Sequence, residues 1–315
     1  MMLFLIAGFI PLIYGASLLV DAASSLAKKY NIPNIVIGLT IVAFGTSMPE
    51  LVVNILASMK GNSAIALGNI IGSNIFNVFV ILGISAIIFP LSVKSGTTWI
   101  EIPLSFIAAL AVFILANDAL IDRTNASALT RIDGYILILF FIIFMAYNIM
   151  LMKSGSFDEA IETKNWPVWQ SILLIIAGLT LLVIGGKIIV ESAITFARDM
   201  GISERVIGLT IIAAGTSLPE LATSTVAAKK KNVDIAIGNV VGSNIFNIFW
   251  ILGLSSVLSP VLPQPMSNID MIMNMAGSLL LFIFIFTGKG QQLDRWEGAV
   301  LLTLFTGYTT FLLIS

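Results

Sequence analysis

Long apolar runs separated by short polar stretches cover most of the chain. A run of about 20 apolar residues matches the hydrocarbon thickness of a bilayer, and a helix satisfies its own backbone hydrogen bonds there. Strands of a membrane barrel would alternate in polarity, whereas segments such as ILILFFIIFMAYNIM at 136–150 are continuously apolar. The pattern therefore predicts about ten transmembrane helices, at 2–20, 34–58, 65–89, 100–117, 133–152, 168–190, 206–228, 235–258, 268–287 and 296–314.

An internal repeat relates the two halves of the chain. IGLTIVAFGTSMPEL and GNIIGSNIFNVFVILG in 37–90 return as IGLTIIAAGTSLPEL and GNVVGSNIFNIFWILG in 207–260, at a constant offset of 170 residues. Roughly 31 of these 54 positions are identical, so the two segments share one structure. The polar stretch 153–167 is predicted to be a short cytoplasmic loop that separates a first five-helix repeat, 1–152, from a second, 168–315.

Five spans in each half give the second half the opposite orientation in the membrane. The predicted fold is an all-α integral membrane protein with ten transmembrane helices, arranged as two inverted five-helix repeats. Lysine and arginine favour cytoplasmic loops, and an N-terminus outside would place ten of them on the inner side and six on the outer. We therefore expect an N-terminus outside, in the plasma membrane of the cell.

Composition narrows the functional classes. Only 10% of the residues are charged and the net charge is -1, which argues against a nucleic-acid partner, since the one basic run is Lys229, Lys230 and Lys231. The chain has no cysteine and no histidine, so it lacks thiolate ligands and the commonest general base. These features disfavour an enzyme and any prosthetic group, and they favour transport.

Glu50 and Glu220 occupy the same position of the repeat, each inside an apolar span. An ionised carboxylate is costly there unless it has a cation or a hydrogen-bond partner. A structural alternative is that each one pairs with a serine or stays protonated. Because no lysine or arginine lies in the central parts of these spans, a bound cation is the favoured partner.

Each glutamate belongs to a Gly-Thr-Ser-x-Pro-Glu segment that predicts a broken helix at the midplane. Proline cannot donate a backbone hydrogen bond, and Gly45 and Gly215 are expected to let the backbone open. Discontinuous transporter helices turn freed carbonyls toward ions. The candidate donors here are carbonyls near Ala43, Thr46, Ala213 and Thr216 and the hydroxyls of Thr46, Ser47, Thr216 and Ser217.

The next span in each half carries a serine and an asparagine four residues apart on one helix face, Ser73 with Asn77 and Ser243 with Asn247. These side chains are candidate ion ligands. The two asparagines have a second interpretation, in which they form hydrogen bonds between helices. Asn74 and Asn244 are interpreted as structural.

An all-oxygen site with two carboxylates suits a hard cation such as calcium or sodium better than magnesium, which demands a stricter octahedron. Two carboxylates neutralise one Ca²⁺, and the same oxygens could hold Na⁺ instead. Competition for one set of ligands is the physical basis of exchange. Calcium/proton antiport is the alternative function, and a channel is disfavoured because one chain supplies an inverted pair of ligands.

At these motifs the chain resembles the sodium/calcium exchanger branch of the cation:calcium antiporter superfamily, whose two repeats carry GTSxPE and GSN signatures. The resemblance implies ten spans, ion sites among the second, third, seventh and eighth, and alternating access by sliding of the first and sixth. It also implies a shared set of calcium and sodium ligands. These are Glu50, Glu220, Thr46, Thr216, Ser47, Ser217, Ser73, Ser243 and the carbonyls of Ala43 and Ala213.

One position departs from the family pattern. Many members have an aspartate where this chain has Asn247, so a third carboxylate is absent and potassium cotransport is not expected. The resemblance leaves the sodium-to-calcium stoichiometry open. The expected partners are Ca²⁺, Na⁺ and the lipid bilayer, with the protein acting as a monomer.

Overall fold

The computed structural model describes residues 2–61, 63–121, 123, 126–154, 163–200, 213–264, 267–288 and 290–314. Helices dominate these residues, with bounds Met2–Lys29, Asn34–Ile37, Ala43–Thr46, Met48–Met59, Ser63–Phe76, Gly83–Ile88, Ile102–Leu115, Asp118–Ile121, Arg131–Ser154, Val168–Asp199, Ala213–Thr216, Leu218–Lys229, Val233–Ile245, Gly253–Leu258, Ser267–Phe284 and Arg295–Ile314. Four π-helical segments join some of them, at Gly38–Val42, Asn77–Leu82, Thr97–Glu101 and Phe246–Leu252. Two strands, Leu91–Ser92 and Gln292–Leu293, pair antiparallel.

Eight of the described helices are long and apolar enough to cross a membrane. Their bounds are Ile6–Lys29, Ile65–Ile88, Thr97–Leu115, Arg131–Lys153, Val168–Asp199, Val233–Leu258, Ser267–Phe284 and Arg295–Ile314. Asn34–Thr46 and Met48–Met59, bent by 48°, pass the same test together and would make nine if the pair is counted as one broken span. The predicted span 206–228 begins in 201–212, which lie outside the described residues, so the total of ten stays a prediction. The predicted all-helical membrane architecture is confirmed.

The long helices Met2–Lys29 and Val168–Asp199 pack along each other. Glycines at the crossing bring the two backbones together. A Cβ added at Gly15 would lie 2.8 Å from the carbonyl oxygen of Gly178, and one at Gly178 would lie 2.9 Å from that of Gly15. Positions 15 and 178 therefore have no room for a side chain.

Loops of the two halves of the chain pair with each other at two places. Leu91 pairs with Leu293 in the short antiparallel sheet, and Leu129 forms an isolated bridge with Val261. Leu91 and Val261 are separated by the repeat offset of 170 residues. The chain thus makes the same kind of inter-half contact twice, with the roles of the halves exchanged.

One end of the molecule is closed by packing of the first helix. Met2–Lys29 packs against Leu218–Lys229. The ammonium of Lys230 lies 2.6 Å from Asp21 and also donates to the hydroxyl of Ser17 at 2.7 Å. Asp21 is therefore half of an ion pair that joins the first helix to the residue after Leu218–Lys229.

Among the described residues, the corresponding helix of the first half is covered less completely. Val52 on Met48–Met59 is 51% exposed, whereas Ala222, its counterpart in the repeat, is only 6% exposed. Glu191, the counterpart of Asp21, lies on the surface 3.7 Å from Lys187 of its own helix. The repeat is therefore symmetric in sequence but asymmetric in how its two outer ends are packed.

We expect Gly15→Ala to lower the melting temperature of the detergent-solubilised protein by several degrees. The new Cβ meets backbone atoms that have no rotamer to change, and overpacking of this kind costs about 1–3 kcal/mol. Gly307→Ala is the matched control, because a Cβ there meets nothing within 4 Å. Its melting temperature should stay the same or rise, since alanine favours helix by about 1 kcal/mol. Equal melting of both variants and the wild type would contradict the close packing.

Candidate cation site

Each Gly-Thr-Ser-x-Pro-Glu segment breaks its helix at the serine. Ser47 has φ -83° and ψ 8°, and Ser217 has φ -89° and ψ 8°, so both leave the helical path for one residue. Pro49 and Pro219 follow in the first turn of the next helix. A proline has no amide hydrogen for the carbonyl four residues earlier. The sequence therefore fixes two broken helices with matching geometry.

Gly45 and Gly215 were expected to let the backbone open, but the structure gives them a different role. Gly45 lies within the helix Ala43–Thr46, so the interpretation that it opens the backbone is wrong. Its missing side chain instead makes space, because a Cβ there would lie 2.6 Å from Leu179. Gly215 likewise leaves space for a neighbour, because a Cβ added there would collide with the side chain of Val190. Both broken helices thus pass close to Val168–Asp199.

Glu50 is fully buried, and serines from both halves of the chain hold it. The hydroxyl of Ser217 donates to Glu50 Oε1 at 3.2 Å, and that of Ser73 donates to the same oxygen at 3.3 Å. Ser73 belongs to the next span of the first half, and Ser217 lies at the break in the second half. The carboxylate therefore bridges the two halves.

Glu220 has the same environment with the halves exchanged. It is fully buried, and its Oε1 accepts a hydrogen bond from Ser47 at 2.9 Å and one from Ser243 at 3.5 Å. Each broken helix thus holds the carboxylate of the other. The structure brings both glutamates and all four of these predicted serines into one buried cluster.

The second oxygen of each carboxylate, Glu50 Oε2 and Glu220 Oε2, is buried and accepts no hydrogen bond. A buried polar atom without a partner costs about 1–3 kcal/mol, and more when it is charged. Such atoms call for an explanation. A hard cation between the two carboxylates would satisfy both oxygens, so the donor set fits a cation.

Thr46 and Thr216 lie beside the carboxylates and contact asparagines of the opposite half. Thr46 Oγ1 donates to Asn239 Oδ1 at 3.0 Å, and Thr216 Oγ1 donates to Asn69 Oδ1 at 3.5 Å. The sequence interpretation missed Asn69 and Asn239. The signal was available, since both stand at the same repeat position inside an apolar span.

The carbonyl of Ala43 accepts the backbone N–H of Ser47 at 3.0 Å. The Thr46 hydroxyl lies 3.3 Å from the same oxygen, but its one proton has the shorter contact with Asn239. A backbone donor thus already uses the Ala43 oxygen, whereas the helical donor lost to Pro49 would have served Gly45. Ala213 begins the helix Ala213–Thr216 at the edge of the described residues. The ligand roles of both alanine carbonyls stay predictions.

Asn77 and Asn247 form hydrogen bonds between helices, as one of their two interpretations expects, and their role as ion ligands stays a prediction. Asn77 Nδ2 donates to Asn244 Oδ1, and Asn247 Nδ2 donates to Asn74 Oδ1, both at 2.9 Å. The oxygens of the two amides, Asn77 Oδ1 and Asn247 Oδ1, are buried and accept no hydrogen bond. The nitrogens therefore join helices, while the oxygens stay available to an ion. Asn74 and Asn244 take part in this structural contact.

The arrangement offers four buried oxygens without hydrogen-bond donors, two from carboxylates and two from amides. Oxygen donors of both kinds are the usual ligands of Ca²⁺, which tolerates irregular geometry. Among the described residues no cluster of three or more acidic, histidine or cysteine side chains occurs. The site is thus a two-carboxylate site.

Comparison with known proteins agrees with this chemistry. The sequence profile of the family described as sodium/calcium exchanger protein matches residues 1–150 and 170–314. The sodium/calcium exchanger MaX1 of Methanosarcina acetivorans is 34% identical, over 98% of this chain and 97% of the relative. The inner membrane protein YrbG of Escherichia coli is 33% identical, over 94% and 92%. A solved structure of the sodium-calcium exchanger NCX_Mj matches with a TM-score of 0.83 and 33% identity, covering 98% of this chain and 96% of that one.

Ser47→Ala and Ser217→Ala should each weaken Ca²⁺ binding about tenfold, because a hydrogen bond to a charged group contributes about 1.5–3 kcal/mol. Their matching geometry predicts similar effects at the two positions. Equilibrium binding of radioactive Ca²⁺ to the purified protein measures this. Ser256→Ala is the control, since that buried hydroxyl donates only to Leu252 of its own helix. Serine variants that bind as tightly as the control would remove the two serines from the site.

Proposed function

This chain belongs to the sodium/calcium exchanger family, and we propose that it is a secondary active antiporter that exchanges calcium for sodium by alternating access. It is a multi-pass integral membrane protein of this family, and its fold is similar to that of a solved sodium-calcium exchanger. The observation that carries the proposal is the pair of buried carboxylates Glu50 and Glu220, each held by a serine of the other half and each with one oxygen free of hydrogen bonds.

The proposed ion ligands come from both halves of the chain. The carboxylates supply the charge, and hydroxyl, amide and backbone oxygens complete the coordination. The set comprises Glu50, Glu220, Thr46, Thr216, Ser47, Ser217, Ser73, Ser243, Asn77, Asn247 and the carbonyls of Ala43 and Ala213. Calcium and sodium compete for these oxygens, so that binding of one ion requires release of the other.

We propose that the two halves, 1–152 and 168–315, are inverted five-helix repeats joined by a cytoplasmic loop at 153–167. The gapless repeat supports this arrangement, as do the paired bridges Leu91–Leu293 and Leu129–Val261. Because one chain supplies both carboxylates, the monomer contains a whole site.

Alternating access is proposed to proceed by movement of the helix pair Met2–Lys29 and Val168–Asp199 past the site. The asymmetric packing of the two ends supports this motion. The end closed by Asp21 and Lys230 and the open end beside Val52 occupy corresponding places in the repeat. Exchanging the two packings would move the opening to the other side of the membrane.

The test of function is Ca²⁺ uptake into proteoliposomes. Vesicles loaded with Na⁺ should take up Ca²⁺, whereas vesicles loaded with choline should not. Glu50→Gln and Glu220→Gln should reduce uptake to background, because each removes one of two charges that balance Ca²⁺. Glu191→Gln is the matched control, since that carboxylate is 67% exposed.

Two outcomes would contradict the proposal. Uptake driven by a proton gradient without Na⁺ would establish calcium/proton antiport instead. Full exchange by Glu50→Gln would remove that carboxylate from the site.

We further propose a plasma-membrane location with the N-terminus outside. The excess of basic residues in the predicted inner loops supports this orientation. The chain contains no cysteine, so single cysteines can be introduced as unique labels. Lys60→Cys in intact cells should react with a membrane-impermeant maleimide, whereas Lys229→Cys should react only after permeabilisation. The reverse labelling pattern would invert the topology.

A further inference from the structure

Four buried asparagines form a hydrogen-bonded set, here called the asparagine quartet: Asn74, Asn77, Asn244 and Asn247. The first two lie where Ser63–Phe76 continues into Asn77–Leu82, and the other two lie in or beside Phe246–Leu252. Each bond within the quartet joins one half of the chain to the other, and each has a counterpart at the repeat offset. The quartet is therefore a symmetric contact between the two halves.

The orientation of two amides in the quartet is fixed by the backbone. Asn74 Nδ2 donates to the carbonyl oxygen of Asn244 at 3.1 Å, and Asn244 Nδ2 donates to that of Asn74 at 3.4 Å. A backbone carbonyl only accepts hydrogen bonds. The nitrogens of both side chains must therefore face the backbone, and their oxygens must face away from it.

Those oxygens in turn fix the other two amides. Asn74 Oδ1 accepts from Asn247 Nδ2, and Asn244 Oδ1 accepts from Asn77 Nδ2, at 2.9 Å in each case. Turning either outer amide over would place two acceptor oxygens against each other. Asn77 and Asn247 consequently direct their own oxygens away from the quartet, and these are the buried atoms that accept no hydrogen bond.

We propose that Asn74 and Asn244 are positioning residues that orient the amide oxygens of Asn77 and Asn247 toward the transported cation. This inference rests on the proposed exchange function in one respect, since it takes the cation as the partner of these oxygens. Asn74 and Asn244 act through their neighbours.

Hydrogen-bond complementarity sets which group position 247 can hold. An ionised aspartate at 247 has no N–H group, so its oxygen would face Asn74 Oδ1 at the distance of the present hydrogen bond. Two acceptors in a buried contact lose the bond and repel. Asn74 therefore selects a donor at 247, which an amide or a protonated carboxyl supplies and an ionised carboxylate does not.

The first experiment compares Asn74→Leu with Asn74→Asp by equilibrium binding of radioactive Ca²⁺ to the purified protein. Leucine has a similar size but no acceptor, so Asn247 loses its fixed orientation, and we expect affinity to fall about tenfold. A protonated aspartate can donate to the Asn244 carbonyl and still accept from Asn247. Affinity should therefore stay within about threefold of wild type.

Transport separates positioning from loss of folded protein in these variants. Asn74→Leu should raise KM for Ca²⁺ about tenfold while its maximal rate per folded molecule changes little. Affinity that is equally reduced in both variants, or a fall in maximal rate with KM unchanged, would overturn the positioning role. The monodisperse fraction of each variant in size-exclusion chromatography gives the amount of folded protein.

The second experiment keeps the inference falsifiable if Asn74→Leu fails to fold. Asn247→Asp should weaken Ca²⁺ binding, and adding Asn74→Ser should restore it by at least threefold, because a serine hydroxyl can donate to the new carboxylate. A double variant that binds no better than Asn247→Asp would refute the complementarity. Binding needs no coupling ion, so the inference is tested even where wild-type transport proves to be proton-driven. Failure of wild type to exchange Na⁺ for Ca²⁺ would instead contradict the proposed function alone.

Discussion

The rest of this structure depends on one constraint, which is that two carboxylates buried at the centre of an apolar bundle need polar partners. Moving an ionised carboxylate out of water costs several kcal/mol even after relaxation, so it persists only with partners. Serines from both halves supply part of that stabilisation and leave one oxygen of each carboxylate for an ion. In both halves the break lies at the serine, directly before the helix that carries the glutamate.

The crossed hydrogen bonds explain why the halves cannot act independently. Ser47 holds Glu220 and Ser217 holds Glu50, so a change in either half alters both carboxylates. The threonine–asparagine contacts and the asparagine quartet repeat this exchange between halves. At the outer ends the symmetry stops, because the part of the chain that the structure describes has no counterpart of the Asp21–Lys230 ion pair beside Val52. A symmetric centre with asymmetric ends is the arrangement that a carrier with two access states requires.

The sequence revealed the chemistry of the site more fully than its geometry. Glu50 and Glu220 could be found because a charge in an apolar span is conspicuous and the repeat presents it twice. That Ser47 contacts Glu220 and not the glutamate of its own helix depends on the packing of distant segments, which spacing along the chain does not encode. Gly45 was misread for a related reason, since the nearby Leu179 belongs to a helix more than a hundred residues away.

The amides of Asn77 and Asn247 show a further limit of sequence. An asparagine offers donors and an acceptor, so its type alone does not say which atom faces an ion. Only the backbone carbonyls of Asn74 and Asn244, brought together by folding, decide the orientation. Sequence therefore indicated the membrane class, the repeat and the two buried carboxylates, while the orientation of the neutral amide groups depends on three-dimensional context.

The amide at position 247 also has an electrical consequence. In the proposed site two fixed negative charges and one Ca²⁺ sum to zero, so the membrane voltage does no work on the calcium-loaded site as it reorients. An extra positive charge would feel about 2.3 kcal/mol for each 100 mV across the full membrane. Two Na⁺ would likewise leave the site neutral, and a third would make it cationic. Any current carried by this protein should then arise in the step in which the sodium-loaded site reorients. The size of that current reports how many sodium ions bind.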